Sequence, residues 1–231
     1  MISLTARFLD LIAPRNCMIC NRRLAADEDT LCAICNLHLP RTGFHADPYE
    51  NEMARMLWGR IRLERCGAWF YYKGGSDVSH LIYNLKYNDH PETGVTLGRT
   101  VADEYLASGF FNGIDIIVPI PLSRGRLRER GYNQSREIAR GISRVTGIKV
   151  NHHAVSRSRF QESQVNKHRW ERADNVENTF HLQQPENIRG KHILIVDDVA
   201  TTGATICACA RELSKAGGVT ISVLTLGYTK P

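Results

Sequence analysis

Apolar residues fall into two kinds of run whose alternation predicts an α/β protein. Residues 114–118, 193–196 and 219–226 are short and rich in β-branched side chains, the pattern of strands buried on both faces of a parallel sheet. Residues 66–72 are aromatic and strand-like, and 150–155 read as a further short strand. Between these runs the spacing turns helical. Met53, Met56, Leu57 and Ile61 share one face over 51–61. Leu81, Ile82 and Leu85 mark a helix that Asp77 caps and that ends on Lys86 and Tyr87. Further helices are predicted over 92–108, closed by Gly109, and over 132–145, ended by Gly147. Ile206, Ala210, Leu213 and Ala216 mark another, stopped by Gly217 and Gly218. Leu4, Phe8, Leu11 and Ile12 fit one face of an amphipathic helix over 1–13, and Gly74-Gly75 makes a turn consistent with a hairpin arm or hood strand. The expected architecture is a mostly parallel sheet with helices on both faces.

The periodicity lapses twice. Residues 37–50, with Pro40, Gly43 and Pro48, read as a linker and divide the chain into units of 1–45 and 46–231. Residues 156–176 are polar and charged throughout and read as a long excursion from the compact fold. Such a segment suits a lid that closes over a reactive intermediate. Because Phe160 and Trp170 lie among Arg157, Arg159, Lys167, His168, Arg169 and Arg172, it suits stacking on single-stranded bases as well.

Composition narrows the partners. The chain has 231 residues and a formal charge of +6, with a pI near 9.0, a balance that favours phosphates or nucleic acid without choosing between them. No apolar run approaches the roughly 20 residues that span a bilayer. Arg7 and Asp10 interrupt the apolar start, unlike a signal peptide. The expected compartment is the cytoplasm, where the seven cysteines serve as thiols or metal ligands. Four of them, Cys17, Cys20, Cys32 and Cys35, form two Cys-x-x-Cys knuckles. Four thiolates complete the closed tetrahedral shell of a structural zinc and leave no open position for catalysis.

The richest chemistry follows the 193–196 strand. It ends on Asp197 and Asp198, then passes through Val199, Ala200, Thr201, Thr202, Gly203, Ala204 and Thr205 into a helix. Backbone N–H groups, threonine hydroxyls and the helix dipole can surround a phosphate there. The two carboxylates can accept hydrogen bonds from ribose hydroxyls or help hold a divalent cation. After the 114–118 strand come Pro121, Leu122 and a basic segment with Arg124, Arg126, Arg128 and Arg130, then Asn133 and Gln134. That alternation suits neither a buried helix face nor a buried strand. Guanidinium forks chelate phosphate oxygens, so the segment can hold a pyrophosphate or a nucleic-acid backbone.

The Asp-Asp and Thr-Thr-Gly-Ala-Thr stretch resembles the phosphoribosyl pyrophosphate (PRPP) loop of type I phosphoribosyltransferases. The whole chain resembles the ComF family of competence-related, phosphoribosyltransferase-like proteins. The likeness runs from the N-terminal helix and Cys17 and Cys20 through Leu85-Lys86-Tyr87, Pro119-Ile-Pro-Leu-Ser-Arg and Arg126 to Gln134. It continues over Arg157, Arg159, Gln164, Arg169, Arg172, Asn175 and Val176 to the final loop. It implies that Asp197 and Asp198 face the ribose hydroxyls and that residues 200–205 hold the 5′-phosphate. By the same resemblance the pyrophosphate meets the loop after Pro119, magnesium accompanies PRPP, and Arg157, Arg159, Gln164 and Arg169 belong to a lid. It implies a role in DNA uptake, with single-stranded DNA and DNA-uptake or helicase proteins as partners. An active transferase joining phosphoribose to a base or amine would carry the same residues, because in this chemistry binding and catalytic groups largely coincide. A zinc-containing nucleic-acid adaptor with a vestigial pocket is the third reading.

Overall fold

The computed structural model describes residues 15–87, 90–158 and 179–230. Two expectations, the helix over 1–13 and most of the excursion with Arg159, Gln164 and Arg169, lie outside the described residues. In chain order the elements are α1 (Ala33–Leu37), α2 (Glu52–Leu57), β1 (Arg65–Tyr71), α3 (Asp77–Tyr87) and α4 (Pro91–Leu106). They continue with β2 (Ile116–Pro119), α5 (Arg124–Arg130), α6 (Gln134–Thr146), β3 (Lys149–Val150), β4 (Val155–Arg157) and β5 (Phe180–Leu182). The last are α7 (Pro185–Ile188), β6 (His192–Ala200), α8 (Ala204–Ser214) and β7 (Thr220–Tyr228).

Five strands form a parallel sheet in the order β1-β7-β6-β2-β3, while β4 and β5 pair antiparallel in a small second sheet. Successive side chains of a strand point to opposite faces, and β6 is apolar on both. Ile193 and Ile195 enter one core with Met53, Ala54 and Leu57 of α2 and Ile206, Ala210 and Leu213 of α8. Leu194 and Val196 enter the other with Leu81 and Leu85 of α3, Leu97 and Val101 of α4 and Ile138 and Ile142 of α6. This is the two-faced parallel sheet that the apolar runs predict.

The helices α4 and α6 cross at glycines. A Cβ on Gly98 would fall 2.1 Å from the Ile138 carbonyl oxygen, and one on Gly141 2.1 Å from that of Val95. Backbone therefore lies directly on backbone at this crossing, which fixes where α6 begins.

Several details differ from the sequence reading, the run of β6 through both carboxylates to Ala200 among them. Gly74 and Gly75 lead into α3 rather than a returning strand, and β1 pairs parallel with β7. The stretch 150–155 is not one strand: Asn151 Oδ1 accepts a hydrogen bond from His153 N (3.0 Å), and the turn separates β3 from β4 in different sheets. The arginine segment is a short solvated helix, α5, started by Ser123 and stopped by Gly131 in the left-handed conformation. A fully solvated helix needs no apolar stripe, so the alternation gave no helical signature.

Residues 40–48 run along the outer edge of β1. Tyr71 N donates to Pro40 O (2.7 Å), Thr42 N to Trp69 O (3.1 Å) and Cys66 N to Pro48 O (2.7 Å). Ahead of this strap, Met18, Ile19 and Leu31 pack on the α3–α4 core, and Asn84 Nδ2 donates to Met18 O (2.9 Å).

Candidate functional site

The pairing of β2 with β6 ends at Pro119 and Val196, whereas β6 stays paired with β7 as far as Ala200. Asp197 and Asp198 therefore sit where β6 has lost its neighbour on one side, at the carboxyl end of the sheet, the usual place for a ligand crevice in open α/β folds. Each carboxylate is fixed locally. Asp198 N donates to Asp197 Oδ1 (2.9 Å) and Val199 N to Asp198 Oδ1 (2.7 Å).

Three neighbouring elements converge on this pair. Lys86, at the end of α3, places its Nζ 3.0 Å from Asp198 Oδ2. Ser135 Oγ, in the first turn of α6, donates to Asp197 Oδ1 (2.9 Å). That turn is set by Asn133, whose Oδ1 accepts from Ser135 N (3.1 Å) while its Nδ2 donates to Ile120 O (3.0 Å). Tyr132 OH donates to Leu85 O and ties the start of α6 to the residue before Lys86. Arg157, on β4, lies over the Phe180 ring at 5.1 Å. Burial first, and the neighbouring Arg126 second, make its guanidinium a weaker base, while Asp197 opposes this. Arg157 thus feels the charge of both Arg126 and Asp197 and links α5 to β6.

Burial first, and Asp198 next, push the Asp197 carboxyl up to about 7, against the opposing Ser135 hydrogen bond and the charge of Lys86. A carboxylate in that range shares its proton readily near neutrality and accepts ligand hydrogen bonds strongly once ionised.

The loop after the carboxylates is shaped by one glycine. Gly203 has φ 70°, and a Cβ there would meet Leu57 Cδ2 at 2.6 Å and Arg60 Nη1 at 3.3 Å. Only glycine takes that conformation without strain. Arg60 Nη1 donates to Thr202 O (2.6 Å) and pins the loop from outside. Gly203 caps α8 without a side-chain hydrogen bond, and Thr201 and Thr202 are exposed. The start of an 11-residue helix with hydroxyls beside it, following a glycine turn, is an anion cradle by construction. Ala200 is buried beneath this loop and Val199, Ala204 and Thr205 are half-buried.

The basic segment divides. Arg130 is half-buried over the Tyr87 ring of α3, whereas Arg124, Arg126 and Arg128 are exposed, Arg126 near enough to act on the charge of Arg157. Pro121 and Leu122 are half-buried at the end of β2. Gln134 is 1% exposed, and its Nε2 finds no hydrogen-bond partner among the described residues, an orphaned donor beside Ser135. Sequence reasoning missed Ser135 and Arg60. The first was within reach, because it stands in the first turn of a helix that starts from the same end of the sheet.

Far from the carboxylates along the chain, Cys17, Cys20, Cys32 and Cys35 bring their sulfur atoms within 4.8 Å of one another. Cys20 Sγ and Cys32 Sγ are 3.7 Å apart. Glu28 Oε2 and Oε1 accept from Ala25 N (2.7 Å) and Ala33 N (2.6 Å), folding the intervening loop so that the knuckles face each other. Burial disfavours the Cys17 thiolate, but backbone N–H groups of Cys20, Cys32 and Ile19 outweigh it and bring this thiol down to about 7. The cluster can hold one metal ion.

The model of the phosphoribosyl transferase domain family matches residues 87–229. The chain is 31% identical over 220 residues to the DNA utilization protein YhgH of Escherichia coli O6:H1, covering 92% of this chain and 90% of that one. Over shorter spans it is 34% identical to competence protein ComFC of Bacillus subtilis, covering 48% and 43% of the two chains. It is 32% identical to competence protein F of Haemophilus influenzae, covering 47% and 48%.

Proposed function

The chain belongs to the ComF family of phosphoribosyltransferase-like proteins, and from that premise we propose that it binds PRPP with magnesium at the end of β6 and serves the uptake or utilisation of DNA, engaging single-stranded DNA through its basic face. The observation that carries this reading is the Asp197–Asp198 pair leading into the Gly203 turn and the start of α8. In it the two carboxylates accept hydrogen bonds from the ribose hydroxyls, and residues 199–205 hold the 5′-phosphate. The residues present fit a magnesium-bound pyrophosphate. Two carboxylates stand beside two cations, Lys86 and Arg157, with Arg126 next to Arg157, so a ligand bringing both metal and phosphates finds a partner for each charge. When bound, magnesium neutralises the pyrophosphate that carries it. Lys86 then exchanges Asp198 for phosphate oxygens, and Ser135 keeps Asp197 oriented.

The names of the YhgH, ComFC and competence protein F relatives support the DNA-handling role. In this reading residues 1–45 form a structural zinc module and 46–231 the phosphoribosyltransferase-like domain. A tetrahedral zinc–thiolate shell has sulfurs about 3.8 Å apart, and the Cys20–Cys32 separation of 3.7 Å suits it. Metal analysis of the purified protein should return one zinc per chain. Calorimetric titration tests the ligand. PRPP is expected to bind in the presence of magnesium, and Asp197→Ala with Asp198→Ala to weaken it at least about tenfold, as expected when charge-assisted hydrogen bonds are removed. Unchanged affinity in that variant would overturn the assignment.

A further inference from the structure

The described surface carries a pair of exposed tyrosines in ring contact. Tyr83 and Tyr87, one turn apart on α3, leave 58% and 48% of their surface to solvent. Their ring centroids lie 4.9 Å apart with planes inclined by 39°. Single exposed tyrosines are ordinary. This pair also has a cation, because the Arg130 guanidinium stands 5.3 Å from the Tyr87 ring centroid. On α5, Arg126 precedes Arg130 by four residues and so shares its face. Arg126 in turn is close enough to Arg157 for its charge to act there, and Arg157 likewise neighbours Asp197, so the cations continue from the tyrosines toward the carboxylate pair. Neither Arg126 nor Arg130 pairs with a carboxylate among the described residues, and α5 holds four arginines to one acid, Glu129. Lys86, between the two tyrosines on α3, reaches inward to Asp198.

Two half-exposed tyrosine rings beside guanidiniums with no carboxylate partner among the described residues match a polymer that alternates flat rings with anions. We propose that Tyr83, Tyr87 and Arg130 form a stacking platform for single-stranded nucleic acid, whose phosphates follow Arg126 toward the carboxylate site. This rests on the DNA-binding part of the function proposed above and gives that binding a place. A duplex keeps its base faces stacked inside and cannot use the platform. A strand with splayed bases can, with sequence tolerance, because every base has a π-face. The cation over Tyr87 adds to the attraction.

Fluorescence anisotropy of a labelled 20-nucleotide oligo-dT, titrated with the full chain at several salt concentrations, tests this. Thermal melting checks the fold of each variant. Tyr83→Ala with Tyr87→Ala is expected to weaken binding about tenfold or more, and Tyr83→Phe with Tyr87→Phe to retain it, since stacking needs rings and not hydroxyls. Arg130→Ala should weaken binding and make the salt slope shallower by roughly 0.7, one phosphate contact on a single strand. A double-alanine variant that binds like the native protein overturns the platform and leaves DNA binding standing. A phenylalanine pair as weak as the alanine pair, or a duplex bound as tightly as the single strand, overturns the stacking. A native protein that binds no single strand overturns both this inference and the DNA reading beneath it.

Discussion

At the scale of residues, the site is a balance of like and unlike charge around Asp197. Burial and Asp198 hold its proton, while Ser135 and Lys86 favour its loss, with Arg157 nearby. An ordinary carboxyl titrates near 4, so the folded chain binds this proton more tightly than the unfolded chain does. The stability that the proton contributes is complete below about pH 4 and is lost as pH rises through about 7. Asp197→Asn removes the titration and preserves the shape. Urea unfolding of both proteins should show the native chain losing stability relative to the variant between pH 5 and pH 8, by on the order of 1–3 kcal/mol. A difference that stays level across that range would refute the account. The carboxylates and the Thr-Gly loop were legible in the sequence because consecutive residues carry them. The Lys86 pairing and Arg60 were not, because residues 112 and 142 positions away cannot be placed by local pattern.

At the scale of elements, the α4–α6 crossing governs the site from a distance. Alanine at position 141 would improve helix propensity by up to about 1 kcal/mol. Against that, its Cβ would sit 2.1 Å from the Val95 carbonyl oxygen and 2.8 Å from Arg99 N, both backbone atoms that cannot swing aside. Overpacking of this kind costs about 1–3 kcal/mol, so the crossing should win. Gly141→Ala is expected to lower stability in chemical denaturation and to weaken PRPP binding as well, because α6 carries Ser135 to Asp197. A variant as stable as the native chain would show that the helices separate freely. Long helices with apolar faces, α3, α4, α6 and α8, were legible from their spacing. The short α5 was not, since it buries none of its residues, and neither was the break between β3 and β4, which a side-chain cap at Asn151 creates.

At the scale of the whole molecule, the class of fold was written in the alternation of β-branched runs with amphipathic ones. The strand order was not. Apolar runs report burial on two faces, but nothing in them says that β7 lies between β1 and β6. The passage at 37–50, with its prolines and glycine, read as a spacer between units, and part of it lies against the sheet as the strap of residues 40–48. That strap has a consequence for how copies or partners can assemble. One lateral border of the sheet is already covered by the chain's own strap, and the other border, β3, is only two residues long. Neither offers an incoming strand a ladder to extend, the condition on which fibrils and edge-to-edge dimers depend. Among the described residues, the main sheet leaves assembly to side chains on the helical faces or at the carboxyl end of the strands.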